Sequence, residues 1–229
     1  MAKEHTLIII FAKFPAQGMA KTRLQPALGV DGAATMARQL LMHSIEQAVA
    51  TGFTVELCVA PAPTDVCWQS LNLPADLQWS AQVEGDLGLR LLTASQNALG
   101  VLDTLDILDT FKKVVLIGTD CPDLTAPQIQ HAAQYLDKQD AVMIPAFDGG
   151  YVLLGLTQTH EHLFSHMTWS VSTVAAVTQQ RIKDLGWSLA LLEPLADIDE
   201  PNDLQYLPSG WLDSYPNLTH ITQAIARQA

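Results

Sequence analysis

Lys21 and Arg23 stand two residues apart in a stretch that holds no acid between Glu4 and Asp31 and that also carries Lys13. Positive charge gathered in this way can hold a small anion even on an acidic chain. The run from Lys13 to Leu24 has Pro15 and Gly18 to shape a turn, and it could wrap a diphosphate with backbone N–H groups, Lys21 and Arg23. It lacks the glycine that precedes the lysine of a Walker A loop, and it is not GxGxxG, which argues against a dinucleotide-binding domain. The bland alternative is a solvated surface loop. A second cluster, Ile117-Gly118-Thr119-Asp120-Cys121-Pro122-Asp123-Leu124, sets the Asp120 carboxylate just beyond an apolar run. Such a carboxylate can hold Mg²⁺ or Mn²⁺, and Mg²⁺ typically takes one or two protein carboxylates and completes its shell with water and substrate phosphates. Asp123 reads as a turn or cap residue.

Asp197-Ile198-Asp199-Glu200-Pro201-Asn202-Asp203-Leu204 alternates two acids ahead of a proline, making Asp199 a second metal-ligand candidate and Asp203 a cap or first-turn residue of the helix that Pro201 opens. In Phe147-Asp148-Gly149-Gly150-Tyr151 the paired glycines let backbone approach a ligand, and Asp148 could bind hydroxyls; the alternative is a tight hairpin. Gly85 to Arg90 opens a helix in which Asp86 caps and Arg90 is either a phosphate contact or a surface charge. Trp169, at another helix start, either stacks on a sugar or fills the core. There is no HExxH, which disfavours a zinc hydrolase.

The elements that must position these residues are short apolar runs: Leu7 to Ala12, Phe53 to Ala60, Val114 to Gly118, Ala141 to Pro145 and Tyr151 to Leu156, with weaker ones near Leu77 to Gln82 and Ser188 to Leu192. Runs apolar on both faces predict a buried, mostly parallel sheet. Helical periodicity predicts helices over Asp31 to Ala50, Leu87 to Leu99, Pro127 to Leu136 and Val171 to Leu185, with Gly52 ending the first. The alternation implies an α/β fold, a three-layer α/β/α sandwich with a Rossmann-like sheet whose ligands bind at the carboxyl ends of the strands. Residues 101–110 read as a length-variable insertion, and the chain reads as one domain over 1–229 with a C-terminal extension over 209–229, including a helix from about Asn217 to Arg227.

The 229 residues carry a net charge of −12 and are 48% apolar, which excludes a disordered chain and makes a nucleic-acid surface unfavourable. Three cysteines without CxxC spacing support neither a disulfide framework nor a thiolate zinc site. The longest apolar run near the N-terminus is far short of the ~18 residues of a membrane span, so the expected setting is cytoplasmic, without a membrane partner.

In order, FAKFPAQGMAKTRL, GDLGLRL, IGTDCPDL, FDGGYVLLGL, TWSVST and DIDEPNDL resemble a glycosyltransferase-A-like family of the arsenosugar-biosynthesis type, within the nucleotide-diphospho-sugar transferase superfamily, over residues 7 to about 204. The resemblance implies that Lys21 and Arg23, with Lys13, Gly18 and Arg90 nearby, bind a nucleotide's phosphates. It places Asp120 on a divalent cation (Mg²⁺ or Mn²⁺) with Asp199 as second acidic ligand. Asp148, Gly149 and Gly150, with Tyr151 and Trp169, would line the sugar or acceptor side, and Asp120, Lys21 and Asp148 would be catalytic. Thr-Asp-Cys lacks the second acid of a DxD motif, and two residues separate Ser170 from Thr173 where the family is more compact. The implied activity is transfer of a sugar from a nucleotide-diphospho-sugar to a small acceptor. The alternatives are nucleotidyl transfer with release of pyrophosphate, which the absence of a glycine-rich LAGG-like signature disfavours, and a non-catalytic nucleotide-sugar binding protein.

Overall fold

The structure, a computed structural model, describes residues 5–100 and 111–215. The expected insertion at 101–110 and the expected helix from about Asn217 lie outside them. All seven expected strands form: β1 (Thr6–Lys13), β2 (Thr54–Ala60), β3 (Gln78–Ala81), β4 (Lys113–Ile117), β5 (Ala141–Pro145), β6 (Tyr151–Leu156) and β7 (Leu189–Leu191). They join in one sheet of order β3-β2-β1-β4-β6-β5-β7, in which β6 alone runs antiparallel to its neighbours. The carboxyl ends of β1, β2, β4 and β5 therefore share one edge.

Four helices cover the sheet: α1 (Gln25–Ala50), α2 (Leu87–Ala98), α3 (Ala126–Tyr135) and α4 (Val174–Asp184). β1 shows how the two faces divide. Ile8, Ile10 and Ala12 pack with Leu41 and Ile45 of α1 and Ile129 of α3, while Leu7 and Ile9 pack with Leu91 and Ala94 of α2 and Ile182 of α4. Successive side chains of a strand point to opposite faces, so a strand buried on both sides must be apolar throughout. A smaller cluster joins Leu24 and the α1 residues Ala33, Met36 and Leu40 to Ile198, Leu204 and Tyr215, with Trp211 packed beside it. Among the described residues no helix is long and apolar enough to cross a membrane.

Two helix starts differ from the sequence expectation by more than one residue. α1 begins at Gln25 with Pro26 in its first turn and breaks at Gly29 (φ 72°, ψ 173°), so the periodic stretch from Asp31 is its second, longer part. α4 begins at Val174, because Ala175 N–H donates to Gly149 O at 2.8 Å and the preceding residues fold as a turn with Ser170 at φ 60°. The capping expectations hold at Asp86, whose carboxylate accepts from Leu89 N–H at 2.8 Å, and at Gly52, whose φ is 75°.

β2 also carries a polar anomaly. Glu56 accepts a 2.5 Å hydrogen bond from the Ser80 hydroxyl on β3, and burial nonetheless holds its carboxyl above the usual glutamate value. The folded chain thus keeps the proton to higher pH than the unfolded one. The associated stability is fully present below the unfolded value and is lost as pH rises through the folded one. Glu56→Gln, which keeps an acceptor for Ser80, should therefore melt higher than the parent at about pH 7.5 and lose that advantage near pH 4. An advantage that grows on acidification would reverse the sign and reject this account.

Candidate functional site

At the end of β1 the chain turns across the sheet edge. Phe14 N–H donates to Ala60 O at 2.9 Å, Ala20 N–H to Ala16 O at 3.0 Å, and Gly18 takes φ 75°. Lys21 follows in the left-handed region (φ 45°, ψ 47°), which is uncommon for a residue with a β-carbon. Its ammonium lies 2.6 Å from Asp120 Oδ1 and 2.8 Å from Asp199 Oδ1, with the side chain only 9% exposed. Burial opposes the charge of Lys21, and the two carboxylates more than offset it, so its pKa stands above the usual lysine value. Burial likewise pushes Asp199 upward, but Lys21 and then Arg23 outweigh it and hold the carboxyl below the ordinary range. Arg23 is 60% exposed and loosely placed, 3.4 Å from Asp199 Oδ2 and 3.9 Å from Glu200 Oε1.

Asp120 lies three residues beyond β4, and its backbone carbonyl accepts from Ile198 N–H at 2.8 Å. That bond ends an extended run that starts beside β5, where Leu195 N–H donates to Pro145 O at 3.0 Å and Phe147 N–H to Leu195 O at 3.1 Å. The run crosses the edge of the sheet and delivers Asp197 and Asp199 beside Asp120. Asp203 closes it as expected, accepting from Asp199 N–H at 2.9 Å and Glu200 N–H at 2.6 Å.

Beside the Lys21 cluster is a cavity of about 270 Å³. Asp120, Asp148 and Asp197 contribute carboxylates to it, and Phe11, Leu91, Leu116 and Val152 contribute apolar surface. Gly150, Tyr151 and Trp169 also line it. Phe147 to Tyr151 form the hairpin, because β5 and β6 are antiparallel neighbours, and their connection lies beside the cavity at the edge where β5 ends. Asp148 closes the hairpin by accepting from Gly150 N–H at 2.7 Å through Oδ1. Gly149 is packing rather than lining: a β-carbon there would lie 2.0 Å from Ser172 O.

Arg90 stands apart from the Lys21 cluster. Its guanidinium donates to Gln82 Oε1 at 3.0 Å and to Gly85 O at 3.1 Å, and Gln82 in turn donates to Ala12 O and Cys58 O, so the arginine braces the ends of β1 and β2. Lys13 is exposed where β1 ends. Cys121, next to Asp120, has its thiol pushed up to about 12, chiefly by burial, and is no nucleophile at neutral pH. His162 and His166 stand four apart, yet they belong to a short 3-10 turn and a left-handed residue rather than one helix. Among the described residues no three His, Cys, Asp or Glu side chains form a metal-holding group. The two acids that the sequence puts forward, Asp120 and Asp199, converge on Lys21.

Asp197 is the site residue that sequence reasoning missed. In an extended segment residues two apart share a face, so an acid at 197 belongs with the acid at 199. Burial, followed by the charge of Asp148, raises its carboxyl to about 6.

Residues 42–171 match a family model described as an uncharacterized protein conserved in bacteria, DUF2064. No curated protein matches in sequence. A Desulfovibrio desulfuricans G20 structure, provisionally named a nucleotide-diphospho-sugar transferase, is 26% identical with a TM-score of 0.81 over 98% of both chains. A nucleotidyl transferase from Methanothermobacter is 12% identical, with a TM-score of 0.55 over 98% of this chain and 99% of its own. A 4-diphosphocytidyl-2C-methyl-D-erythritol synthase from Anaerococcus prevotii is 10% identical, with a TM-score of 0.53 over 87% and 94%. The last two share the fold. The chain belongs to the DUF2064 family and has the GT-A-like α/β fold of the nucleotide-diphospho-sugar transferase superfamily.

Proposed function

We propose that this protein is a nucleotide-dependent transferase whose phosphate end is held by Lys21 and Arg23 at the carboxyl edge of the sheet. The observation that carries this reading is the Lys21 ammonium, buried between the Asp120 and Asp199 carboxylates at 2.6 and 2.8 Å beside an exposed arginine. The two carboxylates that Lys21 draws together would give Mg²⁺ or Mn²⁺ a two-ligand set, the remaining positions going to phosphate and water. Such an ion, when bound to Asp120 and Asp199, supplies charge neutralisation on the phosphates. Lys21 and Arg23 bring two further positive charges to the same phosphates, and their effect is largest where a leaving phosphate gains charge. Asp148, with Oδ1 fixed by Gly150 N–H, has its other oxygen for an acceptor hydroxyl.

The reaction most in keeping with the fold's named relatives is nucleotidyl transfer. An acceptor oxygen bonds to the α-phosphorus of a nucleoside triphosphate, the bond from that phosphorus to the bridging oxygen breaks, and pyrophosphate leaves. Sugar transfer is the second reading. It is supported by the name of the relative that matches over 98% of both chains and by the aromatic residues Tyr151 and Trp169 in the cavity. All three cysteines are free, which suits a reducing, cytoplasmic setting.

Thermal-shift titrations with nucleoside triphosphates and nucleoside diphosphate-sugars, each with Mg²⁺, Mn²⁺ or chelator, separate these readings, because ligands that bind the native state raise its melting temperature. Metal-dependent stabilisation by a triphosphate, with pyrophosphate released on adding acceptor, is the expected result. Stabilisation by a diphosphate-sugar alone selects sugar transfer, binding without turnover selects a binding protein, and silence from the whole panel rejects the proposal.

A further inference from the structure

The Lys21 ammonium stands where the two proposed metal-ligand carboxylates converge, 2.6 Å from Asp120 Oδ1 and 2.8 Å from Asp199 Oδ1. Of the four oxygens on those carboxylates, two are therefore engaged by the lysine, and a third, Asp199 Oδ2, faces Arg23 at 3.4 Å. The backbone behind the lysine is pinned. Lys21 keeps its left-handed φ of 45°, and its carbonyl accepts from the N–H of the fully buried Leu24 at 2.9 Å. A residue with a β-carbon stays in that region only where its surroundings over-determine it, so the ammonium is aimed at the two carboxylates. What can change is the side chain, whose four-carbon stem is flexible.

A divalent ion bound to the same two oxygens would lie against the ammonium, and like charges that close repel by more than thermal energy even in water. The two cations therefore exclude each other unless Lys21 is given other oxygens. A polyphosphate supplies them, as strong acceptors for an ammonium. We infer that Lys21 exchanges partners: without phosphate it fills the cation position and keeps divalent ions off Asp120 and Asp199, and with a polyphosphate its ammonium moves onto phosphate oxygens and leaves both carboxylates to the ion. Metal binding is thereby made conditional on the phosphate-bearing ligand. The polyphosphate half of this exchange rests on the transferase reading; the exclusion half rests on the ion-pair geometry alone. Asp148 and Asp197 face the cavity beside the cluster, so the test must also say which carboxylates hold the ion.

Mn²⁺ binding to the whole protein, read from the loss of the free-ion electron paramagnetic resonance signal, tests the exclusion. Lys21→Met, which keeps a long side chain without the charge, should bind Mn²⁺ at least about ten-fold more tightly than the parent. Arg23→Met removes the same unit of charge from a side chain that is 60% exposed, and should gain no more than about three-fold at physiological salt. Equal gains would mean that net charge rather than occupancy governs the ion, and would overturn the inference. Lys21→Met combined with Asp120→Asn should lose the gain; a gain that persists puts the ion on other carboxylates and also overturns it. The parent supplies a measurement that does not depend on any variant folding. Mn²⁺ alone, up to about 1 mM, should leave its melting temperature unchanged, whereas Mn²⁺ with inorganic pyrophosphate should raise it. A parent stabilised by Mn²⁺ alone as strongly as by the pair refutes the exchange. Tighter Mn²⁺ binding in Lys21→Met, with the parent silent to pyrophosphate and to every nucleotide, would reject the transferase reading and keep the lysine as the occupant of the cation position. Nucleotide binding by a parent that holds Mn²⁺ as tightly as Lys21→Met would do the reverse.

Discussion

An Asp120→Ala variant is expected to keep its fold and lose roughly 100- to 1,000-fold in turnover, the cost of removing one preorganised charge from the proposed transferase site. The fold should survive because the part of Asp120 that ties the chain together is its backbone carbonyl, bonded to Ile198 N–H at 2.8 Å, and alanine keeps it. The carboxylate itself is 47% exposed, so its pairing with Lys21 is well screened on one side and should be worth no more than about 1 kcal/mol. Lys21 also retains Asp199 at 2.8 Å and is not left as an unpaired buried charge. Turnover has no such reserve on the proposed reading, since one of the two carboxylates that would hold the cation is gone. The check is a rate titrated against Mg²⁺ and against Mn²⁺, with a melting curve on the same preparation. Turnover that survives with unchanged metal dependence would place the site elsewhere; a collapsed melting curve would make Asp120 structural. Asp199→Ala should act in the same direction on rate.

Asp120 and Lys21 were legible in the sequence because each follows an apolar run that had to be a buried strand, and the ends of parallel strands share an edge. All seven strands were legible for that reason, including the three-residue β7. What joins the two residues was not. Asp199 lies 178 positions from Lys21, and the pair forms only because the run from Leu195 to Ile198 is hydrogen-bonded first to β5 and then to Asp120. The reversed direction of β6 is also silent in composition, since an apolar strand reads alike both ways; the glycines before it supply the turn. Arg90 shows the limit from the other side. Its charge and position at a helix start suited a phosphate contact, and Gln82, on a different segment, engages it instead. The cavity draws on β1, α2, β4, β6 and the loops around Asp148, Trp169 and Asp197, and no single window of sequence contains its shape. The start of α4 was misplaced for a related reason: the partner of its first-turn N–H group is Gly149, a residue of the β5–β6 hairpin.

That contact makes Gly149→Ala the substitution with the largest expected structural effect. Gly149 has φ 93°, a backbone region that residues with a β-carbon rarely adopt, and the added carbon would lie 2.0 Å from Ser172 O and 2.5 Å from its carbonyl carbon. Both are backbone atoms, so no side-chain rotation relieves the clash. The hairpin and the turn before α4 must separate, and the 2.8 Å bond from Ala175 N–H to Gly149 O is lost with them. Backbone strain and overpacking each cost about 1–3 kcal/mol, so a combined loss of about 3 kcal/mol is expected, or a fall in melting temperature of about 6–12 °C. Gly18→Ala supplies the comparison. Its φ is 75° but nothing lies within 4 Å of the added carbon, so only the conformational penalty of about 1–2 kcal/mol applies. The difference between the two variants therefore isolates the contact. If Gly149→Ala melts no lower than Gly18→Ala, the hairpin is not pinned against Ser172. If it melts much lower, the same contact that holds α4 also fixes the wall of the cavity, because Asp148 and Tyr151 flank the glycines on one side of it and Trp169 and Ser170 precede Ser172 on the other.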